Sequence, residues 1–159
     1  MADMLTDSLR VISGLNEQGV EYVVIGGVAM NIHGLLHATQ DLDLFVRATA
    51  ENVAALKRAL RGVWEDPNIE EISADDLCGE YPAVPYVPPT GELSLDILTR
   101  LGEFAGYGDH EAEVVTLEEV PVRVATPATL VWMEQGTVRP IDHADANRLR
   151  VAFDIPEDG

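Results

Sequence analysis

The stretch from Gly26 to Val46, GGVAMNIHGLLHATQDLDLFV, constrains this chain more than any other. It sets two aspartates, Asp41 and Asp43, in a strictly alternating run, DLDLFVR. Period-two alternation predicts a strand over 41–47, with Leu42, Leu44 and Val46 on one face and Asp41, Asp43 and Phe45 on the other. Both carboxylates then point the same way, about 7 Å apart along the strand. Two ionised carboxylates at that spacing repel each other, and a divalent cation between them removes the repulsion. Magnesium suits the position, since it takes oxygen ligands and keeps waters that substrate phosphates can replace. A solvated strand can carry the same pair, so the spacing alone does not choose.

The neighbouring segments add to it. EYVVI, 21–25, is β-branched and reads as a strand. It runs into Gly26-Gly27 and then a short helix, VAMNIHG, stopped by Gly34. A strand, a Gly-Gly turn and a helix start present backbone N–H groups to an anion, and glycine lets a phosphate come close. ELSLDIL, 92–98, alternates again, with Leu93, Leu95 and Ile97 on one face and Ser94, Asp96 and Leu98 on the other. Asp96 can thus supply a third carboxylate to the acidic face. Three carboxylates on neighbouring strands suit a two-metal site.

The remaining elements frame this centre. Leu5, Leu9, Ile12 and Leu15 predict a helix over 4–18, ended by Gly19. Thr49 caps a helix over 50–60 with Leu56 and Leu60 inward and Gly62 at its end. Residues 66–91 hold five prolines and an acidic cluster, which predicts a long irregular excursion with a short strand near 83–87. Residues 113–117 and 120–125 form a hairpin, Thr126-Pro127 opens a helix, and a last helix covers 140–153. No repeat or second boundary is visible, so residues 1–159 read as a single domain.

Composition narrows the function classes. Hydrophobic residues make up 47%, enough for a core. The apolar runs are too short for a membrane span, and MADMLTDSLR lacks an apolar leader core, which points to the cytoplasm. Cys78 stands alone, with no basic neighbour to activate it. The net charge of −18, from 28 acidic against 10 basic residues, disfavours non-specific nucleic-acid binding and favours cations. A salt-adapted host would give the same acidity.

The order Gly26, Gly27, Ala29, His33, Gly34, Thr39, Asp41, Leu42, Asp43, followed by Asp96 in GELSLDILTRLG, resembles the nucleotidyltransferase superfamily of the DNA polymerase beta type. Within it the AbiEii-like branch of bacterial toxins and minimal nucleotidyltransferases is the more similar. TPATLVWM and RPIDHADANRL resemble the C-terminal segments of that branch, with Asp142 and Asp145 at its acidic positions. The resemblance covers residues 20–150.

This resemblance implies an α+β nucleotidyltransferase fold, a small mixed β-sheet flanked by helices. It implies transfer of a nucleotidyl group from a nucleoside triphosphate to an RNA or protein acceptor, within a toxin–antitoxin system that includes a cognate antitoxin. Asp41, Asp43 and Asp96 would be the catalytic and metal-binding residues, holding two magnesium ions (Mg2+). Asp96 would also help the acceptor hydroxyl lose its proton. Gly26, Gly27 and Thr39 would bind the nucleotide. Three positions depart from the pattern: His37 where the family often has Arg, and Glu134 and Ile141 where it commonly has Lys. Arg100 and Arg139 are the candidates to restore the lost positive charge, although Arg100 equally suits a surface ion pair. The departures also support a second implication, a catalytically weak or inactive nucleotide-binding or interaction module. A homodimer is compatible with a domain of this size, and no residue fixes it. His33 reads as a packing or capping residue before a nucleotide contact, and Trp64 and Trp132 read as core. His143 with Asp142 and Asp145 fits the acidic first turn of a helix, which needs no metal.

Overall fold

A computed structural model describes residues 4–35, 41–78, 83–91, 93–99, 111–135 and 140–155. Its elements are α1 (Met4–Glu17), β1 (Tyr22–Ile25), α2 (Gly26–Ile32), β2 (Asp41–Val46), α3 (Ala50–Arg61), a 3-10 turn (Pro67–Glu71), α4 (Ala74–Cys78), β3 (Ala83–Tyr86), β4 (Ser94–Leu98), β5 (Ala112–Leu117), β6 (Val120–Ala125), α5 (Pro127–Gln135) and α6 (Pro140–Phe153). The six strands form one mixed sheet in the order β3-β4-β2-β1-β6-β5, flanked by helices. No helix among the described residues is long and apolar enough to cross a membrane.

The central strands pair in both senses. β1 runs antiparallel to β2 and parallel to β6, and β2 runs parallel to β4. Residues directly opposite each other share a face. Tyr22, Val24, Leu42, Leu44, Val46, Leu95, Ile97, Val122 and Val124 therefore line one side, and all are buried. The Tyr22 hydroxyl donates to Asn16 Oδ1 at 2.9 Å, which places α1 over this side. α3 packs on α1 so closely that a Cβ on Gly14 would sit 3.3 Å from the Ala59 carbonyl oxygen. Each fully buried Leu or Ile here stabilises the fold by roughly 1.5–3 kcal/mol relative to its exposed state.

Local signals produce the helix ends that the sequence predicts. The Thr49 hydroxyl accepts the Asn52 N–H at 3.1 Å, and Thr126 Oγ1 accepts the Thr129 N–H at 3.2 Å. Asn52 is buried and ties the entry of β1 to the exit of β2. It accepts from the Glu21 N–H at 2.8 Å and donates to the carbonyls of Glu21 and Arg47 at 3.0 and 3.1 Å.

The described residues of 66–91 carry the expected short strand, as β3, but depart from an irregular excursion before it. They hold the 3-10 turn, α4 and β3, and they bury Ile69, Ile72, Leu77 and Tyr86. The Tyr86 hydroxyl donates to Asp66 Oδ2 at 2.7 Å, and Asp66 Oδ1 accepts the Asn68 N–H at 3.0 Å. One aspartate thus caps the turn and anchors the edge strand. Pro67 opens the 3-10 turn and Pro85 sits within the edge strand β3, so proline here does not mean the absence of structure. Trp64 is buried as expected, whereas Trp132 is 43% exposed and is not a core residue. Its helix, α5, has an apolar sequence on nearly every side, so periodicity did not distinguish its inward face.

Candidate active site

The acidic face forms at the middle of the sheet. Asp43 on β2 stands opposite Asp96 on β4, and Asp41 stands opposite Ser94 one step further along the same face. Neighbouring strands lie about 4.8 Å apart, so Asp43 and Asp96 are adjacent, and Asp41 follows about 7 Å along β2. On the other flank Asp43 pairs with Ile25, the last residue of β1. The row that crosses the sheet at this level is therefore Pro85, Asp96, Asp43 and Ile25.

Helix α2 begins directly after Ile25, so the glycine pair is the first turn of the helix rather than a turn before it. Gly26 has φ +73°, a left-handed conformation that favours glycine. A Cβ on it would overlap Asp43 Oδ2 and lie 3.0 Å from Asp43 Cγ. The Asp43 carboxylate thus rests on the backbone at the start of α2. Gly27 is buried behind it.

The far end of α2 is fixed by His33, whose side chain is 6% exposed. Its Nε2 lies 2.7 Å from the Ala125 carbonyl oxygen, so that nitrogen carries the proton and donates. Its Nδ1 faces Glu113 Oε1 at 3.9 Å, and the Phe153 ring packs edge-on at 5.8 Å. His33 is the packing residue that the sequence suggested. It joins α2 to β5, β6 and α6, a role that no local pattern reveals.

The residues present fit a magnesium ion. Among the described residues no three or more His, Cys, Asp and Glu side chains gather tightly enough to enclose a metal. Magnesium does not need such a cage, because one or two carboxylates with waters and substrate phosphates suffice. Asp43 and Asp96 offer two adjacent carboxylates on one face. Asp43 Oδ1 is buried and accepts no hydrogen bond among the described residues, although the side chain has other interactions.

The remaining expected site residues are not all described. Thr39, Arg100 and Arg139 lie outside the described residues, as does His37. The side chains of Cys78, Glu134, Ile141, Asp142 and His143 lie outside them too. Asp145 is buried in α6, 3.8 Å from Arg148 one turn on.

The fold built around this acidic row is the nucleotidyltransferase fold. The chain is similar to the crystal structure of ANT(2")-Ia in complex with adenylyl-2"-tobramycin, with a TM-score of 0.53 and 14% identity over 91% of this chain and 86% of that one. It is also similar to the solution structure of the antibiotic-resistance factor ANT(2'')-Ia, with a TM-score of 0.51 and 15% identity over 96% of this chain and 93% of that one. No protein-family model matches the chain, and no curated protein matches its sequence.

Proposed function

We propose that this chain is a magnesium-dependent nucleotidyltransferase, a single domain over residues 1–159. The observation that carries the proposal is the register of Asp43 against Asp96, with Asp41 on the same face and Gly26 packed under Asp43. Asp41, Asp43 and Asp96 would hold magnesium, which when bound neutralises charge on the triphosphate. Gly26 and Gly27 would bring the α2 backbone against the phosphates, with Thr39, Arg100 and Arg139 completing the nucleotide site. Asp96 would accept the proton of the acceptor hydroxyl as that oxygen attacks phosphorus and pyrophosphate leaves. The protein contributes positioning and electrostatic stabilisation, the usual source of catalysis in phosphoryl-type transfers.

The acceptor in this proposal is RNA or a protein side chain, within a toxin–antitoxin pair. A second acceptor class is favoured by the net charge of −18, which attracts polycations and repels RNA. One similar structure is in complex with adenylyl-2"-tobramycin, and a small molecule is the second acceptor class of this proposal. The alternative to any acceptor is an inactive module that keeps the nucleotide site, motivated by Glu134 and Ile141 in place of the lysines of the family.

Titration of the chain with each nucleoside triphosphate, with and without magnesium, tests the proposal beside Asp41→Ala/Asp43→Ala. Magnesium-dependent binding that the variant loses, followed by pyrophosphate release on adding an acceptor, supports the enzyme. Binding without pyrophosphate release for any acceptor class leaves the inactive module. Binding indifferent to both aspartates rejects the site.

A further inference from the structure

The acidic face has four polar corners, and one of them is not an acid. β2 and β4 run parallel, with Asp41 opposite Ser94 and Asp43 opposite Asp96. Residues opposite each other share a face, so the four side chains mark a rectangle of about 4.8 by 7 Å. Its surroundings are apolar. Ile25 and Pro85 flank the row of Asp43 and Asp96, and Phe45 and Leu98 form the next row along the strands. Ser94 is therefore the uncharged hydrogen-bonding group of this block. It is half-buried, as Asp43 and Asp96 are. Its hydroxyl has no hydrogen-bond partner among the described residues. A chain with 28 acidic residues thus places a neutral, uncommitted hydroxyl at the fourth corner.

That corner decides how many carboxylates a cation meets. Calcium takes about six to eight oxygen ligands in a flexible shell and gives up water readily, so each added carboxylate favours it. Magnesium is smaller, demands octahedral geometry and keeps several waters. A fourth carboxylate beside Asp41 would serve calcium and add like-charge repulsion within about 5–7 Å. A hydroxyl does neither. It is neutral, and its oxygen can accept a hydrogen bond from a water that the ion retains. Partners one step out from a metal commonly change its affinity about 10–100-fold.

We propose that Ser94 makes the acidic face selective for magnesium over calcium, its Oγ accepting a hydrogen bond from a water that the ion keeps. The inference rests on the magnesium reading of Asp41, Asp43 and Asp96 and adds a residue to it. Ser94 is a positioning residue in this scheme, since it holds the water rather than the ion. The direction of the preference follows from hydration. Magnesium dehydrates reluctantly, so a group that orders its water stabilises the bound state. Calcium exchanges the same water for another oxygen, so the hydroxyl contributes little to its binding.

The test uses manganese(II), an ion that suits carboxylate and water ligands, as a paramagnetic probe of the full chain. Magnesium or calcium displaces it, and electron paramagnetic resonance of the free ion gives the affinity of each. Ser94→Ala should weaken magnesium about tenfold and calcium by less than about twofold. Ser94→Thr keeps the hydroxyl and should hold both within about twofold of the wild-type chain. Ser94→Asp should tighten calcium about tenfold relative to magnesium. Unfolding midpoints without metal compare the variants, and a partly unfolded variant weakens both ions alike, which leaves their ratio unchanged. The proposal is overturned if Ser94→Ala leaves that ratio unchanged, if Ser94→Thr behaves as Ser94→Ala does, or if Ser94→Asp does not move the preference toward calcium. Asp43→Asn separates this outcome from a failure of the underlying reading, because it should weaken all three ions whatever Ser94 does. Manganese that stays bound in Asp43→Asn, or that does not bind the wild-type chain, overturns the metal site and the role of Ser94 with it.

Discussion

Gly26 and Asp43 are packed so that neither position tolerates a larger neighbour. The left-handed backbone of Gly26, φ +73°, turns β1 into α2, and the Asp43 carboxylate fills the space where a Cβ would stand. The proposed metal ligand and the helix start are one structural unit, and this contact makes the first prediction.

Gly26→Ala should destabilise the chain by about 2–4 kcal/mol, through left-handed strain and displacement of Asp43. Gly19, φ +68°, has nothing within 4 Å of an added Cβ. Gly19→Ala should therefore show the strain alone, about 1 kcal/mol. Urea unfolding of both variants separates the two contributions. Equal losses would show that the Asp43 contact carries no cost.

Magnesium should stabilise the folded chain through Asp43 and Asp96. At a free concentration ten times its dissociation constant the gain is about 1.4 kcal/mol. Thermal unfolding with magnesium and with a chelator reads this difference, and Asp96→Asn should abolish most of it. A stabilisation that persists in Asp96→Asn would place the ion elsewhere.

Stability should fall at alkaline pH because of Tyr86. Burial, then the hydrogen bond to Asp66, then the charge of Asp66 raise its hydroxyl far above the usual tyrosine range. The folded state thus favours the neutral phenol. The stabilisation is complete below the unfolded value of about 10 and is lost as pH rises beyond it. Tyr86→Phe should flatten that alkaline decline and cost about 1 kcal/mol at neutral pH by removing the bond to Asp66. Unfolding free energies measured from pH 7 to pH 11, about one unit beyond the unfolded value, compare the two chains.

Asn52→Ala should cost about 2–4 kcal/mol, because it leaves the Glu21 N–H and the Glu21 and Arg47 carbonyls without this partner. Asn52→Asp keeps the acceptor and loses both donations, so it should also destabilise. Hydrogen exchange at the Glu21 amide distinguishes them, since it should stay protected in Asn52→Asp and become exposed in Asn52→Ala.

The sequence by itself determined the local features of this protein. Alternation in DLDLFV and SLDIL put Asp41, Asp43 and Asp96 on the side of their strands away from Leu42, Leu44, Leu95 and Ile97, since side chains on a strand alternate whatever surrounds it. Thr49 and Thr126 fixed helix starts, because a cap is made within one turn. Only the tertiary structure decided that Asp43 faces Asp96, that Gly26 carries the Asp43 carboxylate, and that His33 reaches the carbonyl of Ala125, ninety-two residues away. Strand register and such distant contacts follow from how buried faces pack, which no window of sequence contains. The same reason explains residues 66–91 and Trp132. Proline-rich local sequence concealed the 3-10 turn that Asp66 caps and ties to Tyr86, and an evenly apolar α5 concealed which of its sides meets the core.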